Sequence, residues 1–231
     1  MSERFIRLQT LLGDVKLKKI TDAKVAIIGL GGVGGEACLA LARSGVGTLI
    51  IQDYDKVDIS NFNRQVVAYT DTIGQSKIEV MATMIHKINP NCHVITLEEP
   101  FDESSKLFTY DFQYLIDAID QVDNKILLIK QCGNRQVTFI SSMGTAKKMD
   151  IQKLIITELA KTTHDPLARI IRKRLREDNF TMKVPVLSST EEPLIIGKEL
   201  ASYMPVTATA GLMLADYILK KIINEEETKC L

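Results

Sequence analysis

The sequence has no C-x-x-C pair, no excess of charge and no long apolar run, and each absence removes a class of protein. Its four cysteines, Cys38, Cys92, Cys132 and Cys230, lie far apart. Neither a zinc ribbon nor a disulfide framework is therefore expected, and a reducing cytoplasm fits. Twenty-nine basic residues balance twenty-nine acidic ones, which leaves no global electrostatic case for nucleic-acid binding while keeping a local basic patch open. No stretch approaches the roughly 18 uncharged apolar residues of a membrane span. The opening segment MSERFIRLQTLLGDVKLKK carries charges throughout and lacks the apolar centre of a signal peptide. Neither a repeat nor a low-complexity tract is present.

What the sequence does have is alternation. With 231 residues and 45% hydrophobic content it can bury one sizeable core. Strands are expected at Val25 to Ile28, Thr48 to Gln52, His93 to Leu97, Tyr114 to Ile116 and Val137 to Ser141, and helices at Val33 to Arg43, Ser76 to Ile88 and Asp123 to Cys132. That order predicts an α/β fold with a Rossmann-like, doubly wound, mostly parallel sheet. After Gly144 the rhythm changes: Leu154 to Glu158 and Val184 to Ser188 read as antiparallel strands around a charged helix near Pro166 to Arg176, and Val206 to Ile223 as a last helix. A single domain is expected, with residues 1–145 as its nucleotide-binding part and 146–231 as a smaller antiparallel C-terminal extension covering substrate and contacting a second subunit.

Between the first strand and helix stands GLGGVGGEACLALARSG. Its Gly29, Gly31 and Gly34 fit G-x-G-x-x-G, which brings backbone N–H groups to a helix N-terminus where anions bind. An acidic residue about 20 positions on is expected at ribose hydroxyls, and Asp53 answers to it. The chain then places Arg64 and Lys77 soon afterwards, for which a nicotinamide enzyme has no obvious use. A nucleotide whose triphosphate is attacked does, because developing negative charge needs fixed cations. Asp120, at the end of a strand, is the type of oxygen ligand Mg²⁺ takes. Taken singly, Arg64 reads equally as a solvated charge, Lys77 as a surface residue and Asp120 as a helix cap. Their joint order favours a site.

The motifs GLGGVG at Gly29 to Gly34, D-x-D at Asp53 and Asp55, SNFNRQ at Ser60 to Gln65, GQSK at Gly74 to Lys77 and DAID at Asp117 to Asp120 together resemble the adenylylating family that includes ThiF, MoeB and the ubiquitin-activating enzymes. In that family ATP binds with Mg²⁺ and a carboxylate attacks the α-phosphate, giving an acyl adenylate and pyrophosphate. The resemblance implies that Gly29, Gly31, Gly32, Gly34, Asp53, Asp55 and Asp117 hold the nucleotide. It further implies that Arg64 and Lys77 contact phosphates, that Asp120 ligates magnesium, and that Asn61 and Gln65 position the nucleotide and the reacting carboxylate. Arg7 resembles a family arginine that reaches ATP in the partner subunit, which implies a homodimer.

Motifs outside the nucleotide site, above all ELAKTTHDPL within Thr157 to Leu175 and SSTEEP at Ser188 to Pro193, narrow the resemblance to the branch that dehydrates threonylcarbamoyladenosine in tRNA. There ATP activates the free carboxylate, and a neighbouring carbamoyl nitrogen closes a ring with net loss of water. Two departures stand out. Val186 occupies the place of a family cysteine, leaving Cys132 as a weak thiol candidate, and the segment Glu192 to Lys198 is short. A tRNA substrate needs a basic surface, and Arg169, Arg172, Lys173 and Arg176 recur at helical i+3 and i+4 spacings; an ordinary solvated face stays open. Two other functions remain. One is an adenylylating enzyme for a ubiquitin-like sulfur carrier, with a sulfur-relay partner; the other is a non-catalytic nucleotide-binding scaffold. No membrane association is expected.

Overall fold

Runs such as KVAII, TLIIQ and YLID are too uniformly apolar for a sheet with one wet face, and they form strands buried on both sides. A computed structural model describes residues 3–197, 199 and 201–224. Its strands are β1 (Lys24–Ile28), β2 (Thr48–Gln52), β3 (His93–Leu97), β4 (Tyr114–Asp117), β5 (Thr138–Ser142), β6 (Leu154–Glu158) and β7 (Pro185–Ser189). They form one sheet in the order β3-β2-β1-β4-β5-β7-β6, with every neighbouring pair parallel except β6 and β7. The antiparallel pair at the C-terminal end is thus present, and β7 also bonds to β5, so the pair prolongs the main sheet.

The helices are α1 (Ile6–Leu12), α2 (Asp14–Asp22), α3 (Gly34–Arg43), α4 (Lys77–Ile88), α5 (Val122–Asn134), α6 (Pro166–Glu177) and α7 (Met204–Asn224). The strand period of two sorts the core into two layers. Val25, Ile27, Leu49, Ile51 and Ile116 pack with Ile20 of α2, Leu41 of α3, Met81 of α4 and Leu214 of α7. Ala26, Ile28, Ile50 and Leu115 pack on the other face with Leu128 of α5 and Ile171 of α6. Each such side chain larger than alanine, fully buried, contributes about 1.5–3 kcal/mol.

Two features go beyond the sequence expectation. The charged N-terminal segment folds into α1 and α2, because Leu17 and Ile20, three apart, turn one narrow stripe inward and are buried. Cys132 is also fully buried, and burial pushes its thiol up, so it offers no nucleophile. Burial likewise pushes the Cys92 thiol up, to about 11; Cys230 lies outside the described residues. Val186 sits in the core between β5 and β6. The last helix, α7, buries Val206, Ala210, Leu214 and Ile218 as core, and no described helix is long and apolar enough to cross a membrane.

Candidate active site

In the strand order β1 is followed on one side by β2 and on the other by β4, and the connections leave in opposite directions. Such a switch point opens a crevice beyond the carboxyl ends of the strands. Here it is a cleft of about 800 Å³ lined by Gly29, Gly31, Gly32, Asp53, Asp55, Asn61, Arg64, Gln65, Lys77 and Asp120, among others. Gly29 turns the chain at φ +90°, where side chains other than glycine's are strained. A Cβ on Gly34 would lie 1.8 Å from the Gly29 carbonyl oxygen, so only glycine lets α3 start this close to the loop. Gly34 accordingly backs the loop and does not line the cleft. At Gly31 a Cβ would meet nothing within 4 Å; that side of the loop is open.

Each expected polar residue has a distinct setting. Asp53 accepts from Leu30 N at 2.6 Å and from Asp55 N at 2.8 Å, which locks its carboxylate at the end of β2. Lys77 begins α4 with its side chain only 6% exposed and its Nζ 2.7 Å from Asp55 Oδ2. Arg64 Nη1 donates to Ser60 O at 2.8 Å and to Asn63 Oδ1 at 2.9 Å. Those partners are neutral, and Arg64 has no carboxylate partner among the described residues. Asn61 accepts from Asp58 N at 3.1 Å within a capping box that shapes the 59–61 turn. Gln65 Oε1 is buried with no hydrogen-bond partner, a cost that a bound polar group would remove. Asp120 makes no hydrogen bond or ion pair among the described residues and faces the cleft. It is not the cap of α5, a position held by Gln121.

Two expectations, at Asp117 and Arg172, need correction. Asp117 does not face the cleft: it is fully buried, with Lys125 Nζ at 2.8 Å, Ser141 Oγ donating at 2.5 Å and Ile119 N donating at 3.0 Å. It therefore fixes the turn that carries Asp120. Lys125, equally buried, is pushed down by desolvation against the pull of Asp117. A sequence signal for Lys125 existed, since it shares a helix face with Leu128, Ile129 and Cys132. Arg172 does not join the solvated basic face, because its Nη1 donates to Leu159 O, Thr162 O and Thr162 Oγ1 at 3.1, 3.0 and 2.6 Å. Arg169, Lys173 and Arg176 are exposed, and Lys173 lies 3.7 Å from Glu177. Arg7 is exposed on α1 and does not line the cleft of its own chain.

The opposite wall draws in part on the extension expected to cover substrate, but its individual residues were not foreseen. Ser142 to Ala146, Leu167, Ser202 and Thr207 complete the cleft. Asp165 holds this wall, accepting from Gly144 N at 2.9 Å, from Ala168 N at 2.9 Å as the cap of α6, and from Ser188 Oγ at 3.2 Å. Behind it the buried Lys148 donates to the carbonyls of His164 and Glu191, and burial pushes its ammonium down. The Glu191 carboxylate accepts from Met149 N and Asp150 N. The HDPL and SSTEEP motifs thus build one wall. Segment 192–197 is pinned through Leu194 N to Lys147 O at 2.9 Å; Lys198 lies outside the described residues. Asn63 Nδ2 reaches Ser202 O at 3.0 Å and joins the two walls.

Comparison with known proteins agrees with this geometry. The chain is 36% identical to the tRNA threonylcarbamoyladenosine dehydratase of Bacillus subtilis (strain 168), covering 99% of this chain and 98% of that one. It is 38% identical to the enzyme of that name from Escherichia coli (strain K12), over 78% of this chain and 68% of that one. The crystal structure of E. coli tRNA N6-threonylcarbamoyladenosine dehydratase, TcdA, in complex with ATP matches with a TM-score of 0.90 at 36% identity, covering 96% of this chain and 94% of that one. The ThiF family model matches residues 3–231. The glycine loop, the cleft at the switch point and the likeness along the whole chain converge: this protein belongs to the ThiF family and is similar throughout to its tRNA threonylcarbamoyladenosine dehydratases.

Proposed function

We propose that the protein uses ATP with Mg²⁺ to convert threonylcarbamoyladenosine in tRNA to its cyclic form. The carrying observation is the cleft itself, which gathers the glycine loop, Asp53, Arg64, Lys77 and Asp120 on one side and the HDPL-built wall on the other. Its volume lies toward the upper end of the roughly 300–1,000 Å³ of small-ligand sites, and a nucleotide and a second reactant must share it. The residues fit ATP: Gly31 leaves the loop open to phosphate, and Gln65 brings an unpaired buried amide oxygen to the wall. They also fit Mg²⁺, because Asp120 is an oxygen donor that faces the cleft and makes no hydrogen bond or ion pair among the described residues. Magnesium typically takes one or two carboxylates and completes its shell with phosphate oxygens and water. Bound there, it would offset phosphate charge.

A carboxylate is a poor electrophile because its leaving group would be oxide, and ATP turns that oxygen into a good leaving group. The chain's own residues then have three tasks. Asp53 accepts from the ribose hydroxyls, held in place by Leu30 N and Asp55 N. Arg64 and Lys77 stabilise charge that develops on the departing phosphates. The Gly144–Ala146 wall keeps the activated carboxylate dry until the adjacent carbamoyl nitrogen closes the ring. Arg169, Lys173 and Arg176 of α6 supply the phosphate-tracking surface for tRNA. Exposed Arg7 acts in the cleft of a second subunit, and the homodimer works in the cytoplasm.

Incubating the purified protein with ATP, Mg²⁺ and tRNA carrying threonylcarbamoyladenosine should yield, by mass spectrometry of the nucleosides, a product lighter by one water. Calorimetry should show ATP binding and no NAD binding. An unchanged nucleoside in the presence of bound ATP would remove the dehydratase reading and leave the nucleotide-binding scaffold.

A further inference from the structure

Next in the chain to residues that line the cleft stands aromatic surface that the core does not use. Phe62 is 41% exposed and Tyr203 43% exposed, and neither belongs to the two hydrophobic layers. Phe101, Phe108, Phe112, Phe139 and Phe180, by contrast, all pack in one of those layers. Phe62 stands between Asn61 and Asn63, which both line the cleft, and Tyr203 follows Ser202, which lines it from the other side. The Asn63 Nδ2–Ser202 O hydrogen bond draws these two segments together, so each end of the bridge has an exposed aromatic residue as its neighbour in the chain. The same Asn63 amide holds Arg64 through its oxygen at 2.9 Å.

Resting on the function proposed above, we infer that Phe62 and Tyr203 form a stacking site for an unpaired nucleobase next to the reacting nucleotide of the RNA. A nucleotide inside a folded RNA reaches a cleft of this size only by leaving its stack, which exposes the faces of its neighbours. Exposed aromatic rings at the mouth restore that stacking, and they do so without regard to base identity because every base has a π-face. Phosphate contacts on α6 supply attraction without register; two rings beside the bridge supply the register.

The chain contains no tryptophan, so Phe62→Trp introduces a single reporter. Its emission should be quenched by tRNA carrying threonylcarbamoyladenosine and left unchanged by a fully paired RNA duplex of equal length. Phe62→Ala and Tyr203→Ala should each weaken tRNA binding by about 5- to 150-fold, the range of one lost base stack, with ATP affinity and the salt slope of tRNA binding unchanged. Tyr203→Phe should retain wild-type affinity. Unchanged tRNA affinity in both alanine variants together with an unquenched indole overturns the inference. So does loss of self-association by light scattering at unchanged tRNA affinity, which would assign the rim to a second copy of the chain. If an alanine variant fails to fold, the quenching of Phe62→Trp decides alone. Failure of the wild type to form the cyclic nucleoside counts against the proposed function and leaves the stacking measurement readable on its own.

Discussion

Two aspartate–lysine pairs stand near the carboxyl edge of the sheet, and their lengths are nearly the same. Asp117–Lys125 measures 2.8 Å with both side chains 0% exposed; Asp55–Lys77 measures 2.7 Å with the aspartate 51% and the lysine 6% exposed. Exposure separates them. Charges sealed from water hold each other strongly because no solvent competes for either, and here Ser141 and Ile119 N complete the network. In the half-open pair the Asp55 carboxylate can return to water at little cost, so Lys77 can exchange it for a ligand phosphate. Ion-pair distance alone says nothing about role; the solvent access of the acid decides whether the base is available.

The comparison breaks first at the buried pair. Lys125→Met strands a buried carboxylate and should destabilise the protein by about 3–5 kcal/mol in urea unfolding. Adding Asp117→Leu should recover most of that loss. If the double variant is no more stable than the single one, packing and not the stranded charge carries the effect. At the open pair the consequence moves from stability to rate: Lys77→Ala, and likewise Arg64→Ala, should lower turnover by about two orders of magnitude or more. Stability should change less than in Lys125→Met, since water can solvate the half-exposed Asp55 carboxylate that Lys77→Ala leaves behind. Wild-type turnover in both variants would take these two cations out of the reaction.

A similar contrast runs along α6. Replacing Arg169, Lys173 and Arg176 by alanine should weaken tRNA binding and flatten its dependence on log salt by about two units, because fewer counterions are released. Arg172→Ala should leave that slope unchanged and lower stability instead, since its guanidinium ties α6 to the 159–162 turn. Equal slopes for both variants would assign α6 to an ordinary solvated face.

The smallest effect concerns Asp58, whose carboxyl is held below the usual carboxylate range by hydrogen bonds from Ser60. A lowered folded value means that the unfolded chain binds protons first. The stabilisation is thus present above the unfolded value and lost as pH falls through the folded one. Asp58→Asn should flatten the acid side of the stability profile and leave the wild-type difference constant between about pH 5 and 8; a difference that varies in that window would point to another titrating group.

Much of the nucleotide wall was legible in the sequence because its parts are close in the chain and each has a local signature. The glycine loop, SNFNRQ and GQSK all fall between Gly29 and Lys77, and the structure brings Asp53, Arg64 and Lys77 to one cleft. Asp117 was misplaced for an equally physical reason. A strand-end aspartate looks the same in sequence whether it turns to the cleft or to a buried lysine, and its partner Lys125 read as part of an amphipathic helix. Arg172 was misplaced because helical spacing gives the face of a residue and not the carbonyls that its long side chain can reach.

The sequence by itself determined the alternation of strands and helices, the parallel sheet, and the loop that turns at Gly29, since these follow from short-range periodicity and backbone permissiveness. Only the tertiary structure decided which charges are sealed and which are open. It also decided how the second wall meets the first: Asn63 and Ser202 stand 139 positions apart in the chain and 3.0 Å apart across the cleft. No local pattern encodes such a contact, because it is set by the summed packing of the sheet and of α7 against it. Burial and hydrogen-bond partners, which turn a residue type into a chemical role, come into being only once that packing is complete.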